Sequence, residues 1–219
     1  MFSDKKRILF IALLSIFFAY TASSQEIWDG EFDSDWNDDI NWTDDTAPVS
    51  GDTVQIPDVN PNDQPILNVN VDLGAGTLEL DNSAGGTASL DLNANQLTVT
   101  GGFTIEAGTL LLVDGNEASV SPVTTNNGTV EYYGTGTTGL IVGNTYNNLT
   151  FSAGTWTLNN DLTVNGDLTI DGTLITNDFD VDVGGSILGT GTLQTTNGGT
   201  QETIFVGGDM SIANFTSDA

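Results

Sequence analysis

Apolar and polar residues alternate over short stretches along most of this chain. In residues 162–176, Leu162, Val164, Leu168 and Ile170 alternate with threonine, asparagine and aspartate. A period of two predicts β-strands that turn alternate side chains toward a core. Glycine, asparagine and aspartate interrupt the pattern every five or six residues and supply the positive φ angles of tight corners. Nothing after residue 24 has a helical period, so we expect an all-β fold.

Two short phrases recur in step. The first is Gly-Thr followed by an apolar residue or alanine, and its copies begin at Gly76, Gly86, Gly108, Gly128, Gly154, Gly172 and Gly191. The second, Val-x-Gly-x-apolar, begins at Val99, Val164, Val183 and Val206. Short strands and corners with a period near twenty residues predict a parallel β-solenoid, a right-handed β-helix of about seven coils. An antiparallel β-sandwich is the structural alternative, because short strands with frequent turns also suit it.

The chain divides into three predicted regions: a signal peptide at 1–24, a capping segment at 25–65 and a solenoid domain at 66–219. The capping segment lacks both phrases and is rich in proline, which suits a cover for the first strand edge. The solenoid domain stops just after a Val-x-Gly phrase. We therefore expect a C-terminal end that is truncated or completed by a partner.

The first 24 residues have the three parts of a secretory signal. A basic start at 5–7 precedes an apolar stretch at 8–20, and Ala22 and Ser24 fit the −3 and −1 positions of a cleavage site before Gln25. The apolar stretch is shorter than the roughly 20 residues that span a bilayer. We predict a secreted or extracellular protein with no membrane insertion after cleavage, and an uncleaved anchor is the alternative.

The charge of the exported chain is almost wholly negative. Residues 1–24 hold all three basic residues and one acid, so their removal changes the net charge from −27 to −29. Binding to nucleic acid is excluded, because phosphates are neutralised by lysine and arginine. The absence of histidine and cysteine excludes Ser-His-Asp and Cys-His catalysis and metal sites of imidazole or thiolate. We expect no enzyme activity and no required cofactor.

Two groups of residues are candidates for ligand binding. Calcium is an optional ligand of the acidic stretch. The spacing of the candidate ligands follows that of an EF-like loop, but the usual glycine is missing. These candidates are Asp33, Asp35, Asn37, Asp39 and Asp44. Aromatic rings that stack on sugars are candidates for glycan binding, namely Tyr132, Tyr133 and Trp156. Tyr132 and Tyr133 are adjacent, so one of them must face outward.

Other conspicuous residues have a structural explanation. We expect Trp28, Trp36 and Trp42 to plug the cap over the first coil, since burial of a tryptophan stabilises a fold by several kcal/mol.

Acid pairs can hydrolyse glycosides, and the outward candidates are Asp161, Asp167, Asp171, Asp178, Asp180 and Asp182. Solvated aspartates at corners are the favoured interpretation.

Two segments carry a resemblance to a known family. The block from Trp28 to Trp42, followed by GDTVQIP at 51–57, is similar to the opening module of secreted β-strand-repeat surface proteins of Bacteroidota. The stretch 128–174, with the Tyr-x-Asn-Leu phrase at 146–149, resembles their repeat unit. The resemblance implies an adhesin-like protein whose partners are extracellular glycans or other surface proteins. The family usually ends in a type IX sorting domain, and we expect this chain to depart from the family at that point. The expected function is a structural and adhesive surface module, with a glycan-binding or glycan-active β-helix as the alternative.

Overall fold

The chain folds into a series of short β-strands. The computed structural model describes residues 24–60, 62–196 and 202–217, so the predicted signal peptide lies, except for Ser24, outside the described residues. The described strands are β1 (Gln25–Ile27), β2 (Thr53–Pro57), β3 (Val71–Asp72), β4 (Thr77–Asp81), β5 (Ser89–Asp91), β6 (Leu97–Thr98), β7 (Gly102–Ile105), β8 (Leu110–Val113), β9 (Thr125–Asn126), β10 (Thr129–Tyr132), β11 (Thr145–Tyr146), β12 (Asn148–Phe151), β13 (Thr155–Thr157), β14 (Leu162–Val164), β15 (Leu168–Ile170), β16 (Thr173–Ile175), β17 (Val181–Val183), β18 (Ile187–Thr195), β19 (Ile204–Val206) and β20 (Met210–Ser217). A short 3-10 helix at Asp39–Asn41 is the one helix among the described residues.

Each strand pairs with its equivalent in the neighbouring turn. Strand β10 pairs with β8 on one side and β12 on the other, and both pairings are parallel. The same arrangement stacks β11, β14, β17 and β19 into a second sheet, and β1, β2, β4, β7 and β9 into a third. The fold is therefore a parallel β-solenoid of about eight turns, as the repeats predicted. The sandwich alternative is wrong, because its strands would pair antiparallel.

The predicted capping segment also supplies solenoid strands. Strand β1 pairs in parallel with β2, which pairs in parallel with β4. The segment at 25–65 thus begins the ladder that the repeats continue, although it contains neither repeated phrase. This accounts for about eight turns where the repeats alone predict seven.

The core consists of columns in which equivalent side chains stack from turn to turn. One column runs through the 9-stranded sheet and comprises Leu90, Leu111, Val130, Leu149, Leu168 and Ile187. All six side chains are fully buried. The period of two therefore corresponds to an inward position in each strand, and burial of these columns gives the fold its main stabilisation.

The Gly-Thr phrase marks a corner where successive turns come very close. A methyl group built on Gly191 would lie 2.0 Å from the carbonyl oxygen of Gly172, one turn earlier. A methyl group built on Gly154 would lie 2.4 Å from the carbonyl oxygen of Gly134. Glycine recurs here because any side chain would clash with the backbone of the neighbouring turn.

Candidate functional sites

The acidic opening stretch forms a compact loop that its own side chains organise. Asn41 is fully buried, and its Oδ1 accepts hydrogen bonds from the backbone N–H groups of Phe32 and Asp33, both at 3.0 Å. Its Nδ2 donates to Asp33 Oδ1 at 2.8 Å and to the Asp35 carbonyl oxygen at 3.0 Å. The residue that organises this loop is thus a neutral amide, Asn41, which is not one of the predicted calcium ligands.

The carboxylates proposed as calcium ligands make separate contacts. Asp35 Oδ1 accepts from the Asn37 N–H at 3.0 Å, which holds the pKa of Asp35 below its usual value. Asp39 Oδ1 accepts from the Ala47 N–H at 2.9 Å. No group of three acidic side chains in the described ranges is arranged to hold a metal ion. The structure therefore does not assemble Asp33, Asp35, Asn37, Asp39 and Asp44 into one ligand shell, and calcium binding stays a prediction.

Three tryptophans of the same segment lie in the core, as the plug interpretation expects. Trp28, Trp36 and Trp42 are each at most 1% exposed. The Trp42 ring meets Trp28 edge-on at 5.1 Å between centroids and Trp36 at 4.9 Å. Its indole N–H donates to the Trp36 carbonyl oxygen at 2.9 Å. With their rings covered by one another, these side chains offer no face for a sugar.

A buried carboxylate sits at the start of one core column. Glu26 is 2% exposed and occupies the inward position that Val54, Leu78 and Phe103 continue in later turns. Burial raises the pKa of Glu26, and the nearby Asp44 and Asp52 raise it further. Its Oε2 has no hydrogen-bond partner among the described residues. This position could not be predicted from the sequence, because a single glutamate in an acidic chain resembles ordinary surface charge.

The glycan-stacking prediction is wrong for two of its three residues. Tyr132 and Trp156 are fully buried, with their ring centroids 4.9 Å apart and Phe151 packed against both. The Tyr132 and Tyr146 hydroxyl oxygens are 3.0 Å apart, and burial raises the pKa of Tyr132 to about 12. An aromatic core cluster, not a sugar platform, occupies this part of the solenoid.

Tyr133 is the remaining candidate and is partly exposed, as expected for the neighbour of an inward tyrosine. Its hydroxyl donates to Asp91 Oδ1 at 2.9 Å. Burial and this carboxylate together raise its pKa, so the hydroxyl stays protonated at neutral pH. Tyr133 alone of the three keeps an accessible surface.

The corner aspartates bind the turns to one another. Asp167 Oδ1 accepts from the Ser186 N–H at 2.8 Å, nineteen residues further on. Asp161 Oδ1 accepts from the Asp180 N–H at 3.0 Å at the same separation. Asp171 Oδ1 accepts from both the N–H and the hydroxyl of Thr190 at 2.8 Å, and these bonds lower the pKa of Asp171. A carboxyl with a lowered pKa is a poor proton donor for glycoside hydrolysis.

Two surface pockets in the described part of the chain carry little chemistry. One, of about 360 Å³, is lined by Gly115, Asn159 and residues 137–141, none of them ionisable. The other, of about 350 Å³, contains a single carboxylate, that of Glu106, which accepts from the Asn82 N–H at 3.0 Å. Neither pocket presents the pair of carboxyl groups on which glycoside hydrolysis depends.

Comparison with known proteins returned no match to a family model, to a curated protein or to a solved structure. None of the described residues forms a helix with the length and apolar character needed to cross a membrane. The class of the protein therefore rests on its fold, the parallel β-solenoid, and on the surface chemistry described above.

Proposed function

We propose that this chain is exported and acts outside the cell as a non-enzymatic structural and adhesive module. Export is supported by the signal-like residues 1–24, and adhesion by the resemblance of 28–57 and 128–174 to secreted repeat proteins. A stack of about eight turns supplies a rigid, elongated scaffold for such a role.

The observation that best supports a non-enzymatic role is the use of the corner carboxylates. Asp161, Asp167 and Asp171 each accept a backbone N–H from the next turn. These bonds hold each carboxylate against the backbone of the next turn, and those from Thr190 lower the pKa of Asp171. Three of the six aspartates that the sequence offers as catalytic candidates are thus engaged in joining turns.

Glycan binding remains the second candidate because Tyr133 is partly exposed, with its hydroxyl bonded to Asp91. Stacking on a sugar needs the aromatic ring, whereas the bond to Asp91 needs the hydroxyl. A Tyr133→Phe variant retains the ring and a Tyr133→Ala variant removes it. Loss of glycan binding in the alanine variant alone would identify Tyr133 as the stacking residue.

Export is tested by expressing the full chain in a bacterial host and sequencing the secreted product by mass spectrometry. The expected N-terminus is Gln25, either free or cyclised. Retention of residues 1–24 on a membrane-bound product would contradict export as a free protein.

Catalysis and adhesion are separated by incubating the purified protein with neutral and acidic polysaccharides. We expect no new reducing ends and no unsaturated products, together with retention of the protein on an immobilised glycan or on cell surfaces. Product formation that Asp167→Asn and Asp171→Asn abolish would overturn the non-enzymatic assignment. Failure to bind any tested glycan or cell surface would count against adhesion.

A further inference from the structure

Asparagine stands directly before glycine at three places in the sequence, 127–128, 165–166 and 197–198. Asparagine is a thermolabile residue, and it is especially reactive in this setting because glycine has no Cβ to shield its amide nitrogen or to restrict the backbone. The third pair lies outside the described residues. The other two differ in the hydrogen bonding of the glycine N–H.

The Asn165–Gly166 pair is held on both of its N–H groups by the preceding turn. The Gly166 N–H donates to the Asn147 carbonyl oxygen at 2.7 Å, and the Asn165 N–H donates to the Tyr146 carbonyl oxygen at 2.9 Å. To attack the asparagine side chain, the glycine nitrogen must lose its proton and turn toward Cγ, which would break the first of these bonds. The hydrogen bond to Asn147 therefore opposes the reaction at Asn165.

The Asn127–Gly128 pair, at the corner between β9 and β10, lacks this restraint. The Asn127 N–H donates to the Ile105 carbonyl oxygen at 2.8 Å, and the Thr129 N–H donates to the Thr109 carbonyl oxygen at 2.9 Å. Between them, the Gly128 N–H has no acceptor among the described residues. Asn127 is exposed and borders the pocket of about 350 Å³ described above, which leaves room for water beside its side chain.

We propose that Asn127 is a site of spontaneous deamidation and that the fold protects Asn165 from the same reaction. The Gly128 nitrogen bonds to Cγ of Asn127, and the side-chain nitrogen leaves as ammonia with the proton that the Gly128 N–H gives up. Water then adds to one of the two carbonyl carbons of the resulting succinimide ring and breaks the bond between that carbon and the ring nitrogen. Opening at Cγ gives aspartate, and opening at the main-chain carbon gives isoaspartate. Water is the one co-reactant, and the proposal does not depend on the adhesive function.

Either product changes the corner between β9 and β10. Aspartate at position 127 adds a carboxylate to the pocket of Glu106, where burial and the charge of Glu106 already raise the pKa of Glu79. Isoaspartate lengthens the main chain by one carbon atom. It also turns the Asn127 carbonyl, which accepts from Asn147 Nδ2 at 2.7 Å, into a separate carboxylate. We therefore expect the isoaspartate form to be less stable than the unmodified protein.

Peptide mapping by mass spectrometry measures both sites in one sample. The purified chain is incubated at mildly alkaline pH, either folded or unfolded in urea. It is then digested with a protease that cleaves at acidic residues, because no lysine or arginine follows residue 7. In the folded protein we expect Asn127 to react roughly five to ten times faster than Asn165, the factor that one backbone hydrogen bond supplies. In urea the two sites should react at similar rates.

Three results of this comparison would overturn the proposal. They are equal rates at the two sites in the folded protein, a faster reaction at Asn165, and an unmodified Asn127 after a time in which the unfolded chain has reacted.

Matched variants connect the reaction to the stability of the corner. Asn127→Gln keeps an amide at the pocket, but its longer side chain would have to close a six-membered ring, which forms far more slowly. The melting temperature of Asn127→Gln should therefore survive the incubation, whereas that of the wild type should fall. Asn165→Gln is the control and should lose stability as the wild type does. An equal loss in Asn127→Gln would show that the corner is not where the damaging reaction occurs.

Discussion

Replacement of Trp42 by alanine tests whether the opening stretch is a plug. Trp42 is 1% exposed, contacts Trp28 and Trp36 edge-on and donates its indole N–H to the Trp36 carbonyl oxygen. Truncation of a buried tryptophan to alanine costs about 3–5 kcal/mol, a range that includes the cavity left behind. The two ring pairs and the indole hydrogen bond place Trp42→Ala toward the upper part of that range. We expect a loss of about 4 kcal/mol in the free energy of unfolding.

The measurement is equilibrium denaturation followed by far-UV circular dichroism, because tryptophan fluorescence would change with the substitution itself. Phe32→Ala is the matched control: it removes an aromatic side chain from the same segment, but Phe32 is 65% exposed. Surface substitutions of that kind change stability by about 0.5 kcal/mol or less. A Trp42→Ala variant that loses less than about 1 kcal/mol would refute the plug interpretation.

Three further predictions concern single side chains. Burial raises the pKa of Glu26, so the folded chain holds the proton of this carboxyl group more tightly than the unfolded chain does. Glu26 therefore destabilises the fold increasingly as the pH rises above its unfolded pKa. Glu26→Gln should accordingly melt at a higher temperature than wild type at pH 7 and at a similar temperature near pH 3, and a higher melting temperature for wild type at pH 7 would contradict this. Hydrogen bonds from Thr190 lower the pKa of Asp171. The stability that Asp171 contributes is therefore present above its unfolded pKa and is lost as the pH falls through its folded pKa. Asp171→Ala should lower the melting temperature at pH 7, and the difference from wild type should vanish in acid. Gly191→Ala places a methyl group 2.0 Å from the Gly172 carbonyl oxygen and should cost about 1–3 kcal/mol in thermal unfolding, whereas an unchanged melting temperature would show that the corner can relax.

The sequence could predict the solenoid because each turn repeats the same physical requirement. Val130, Leu149 and Leu168 fill one column and therefore recur as inward apolar residues at equivalent positions. Gly172 and Gly191 recur because the corner leaves no space for a side chain. A physical requirement that repeats in every turn produces a periodic sequence, and this periodicity can be recognised without any structure.

Features that occur once left no such pattern. Tyr132 and Trp156 turned inward, although their residue types suit a sugar platform equally well. Glu26 is inward because it occupies the column of Val54, a register that becomes visible only when β1 is paired with β2. Whether an aromatic or acidic side chain faces the core depends on strand register, and a one-residue shift reverses it.

After residue 7, the absence of lysine and arginine explains why carboxylates at the corners accept hydrogen bonds from the backbone of the next turn. With no lysine or arginine after residue 7, side-chain ion pairs cannot hold adjacent turns together. Backbone N–H groups at the corners are then the available donors, and Asp161, Asp167 and Asp171 accept from them. Each such bond compensates part of the repulsion that stacked carboxylates generate.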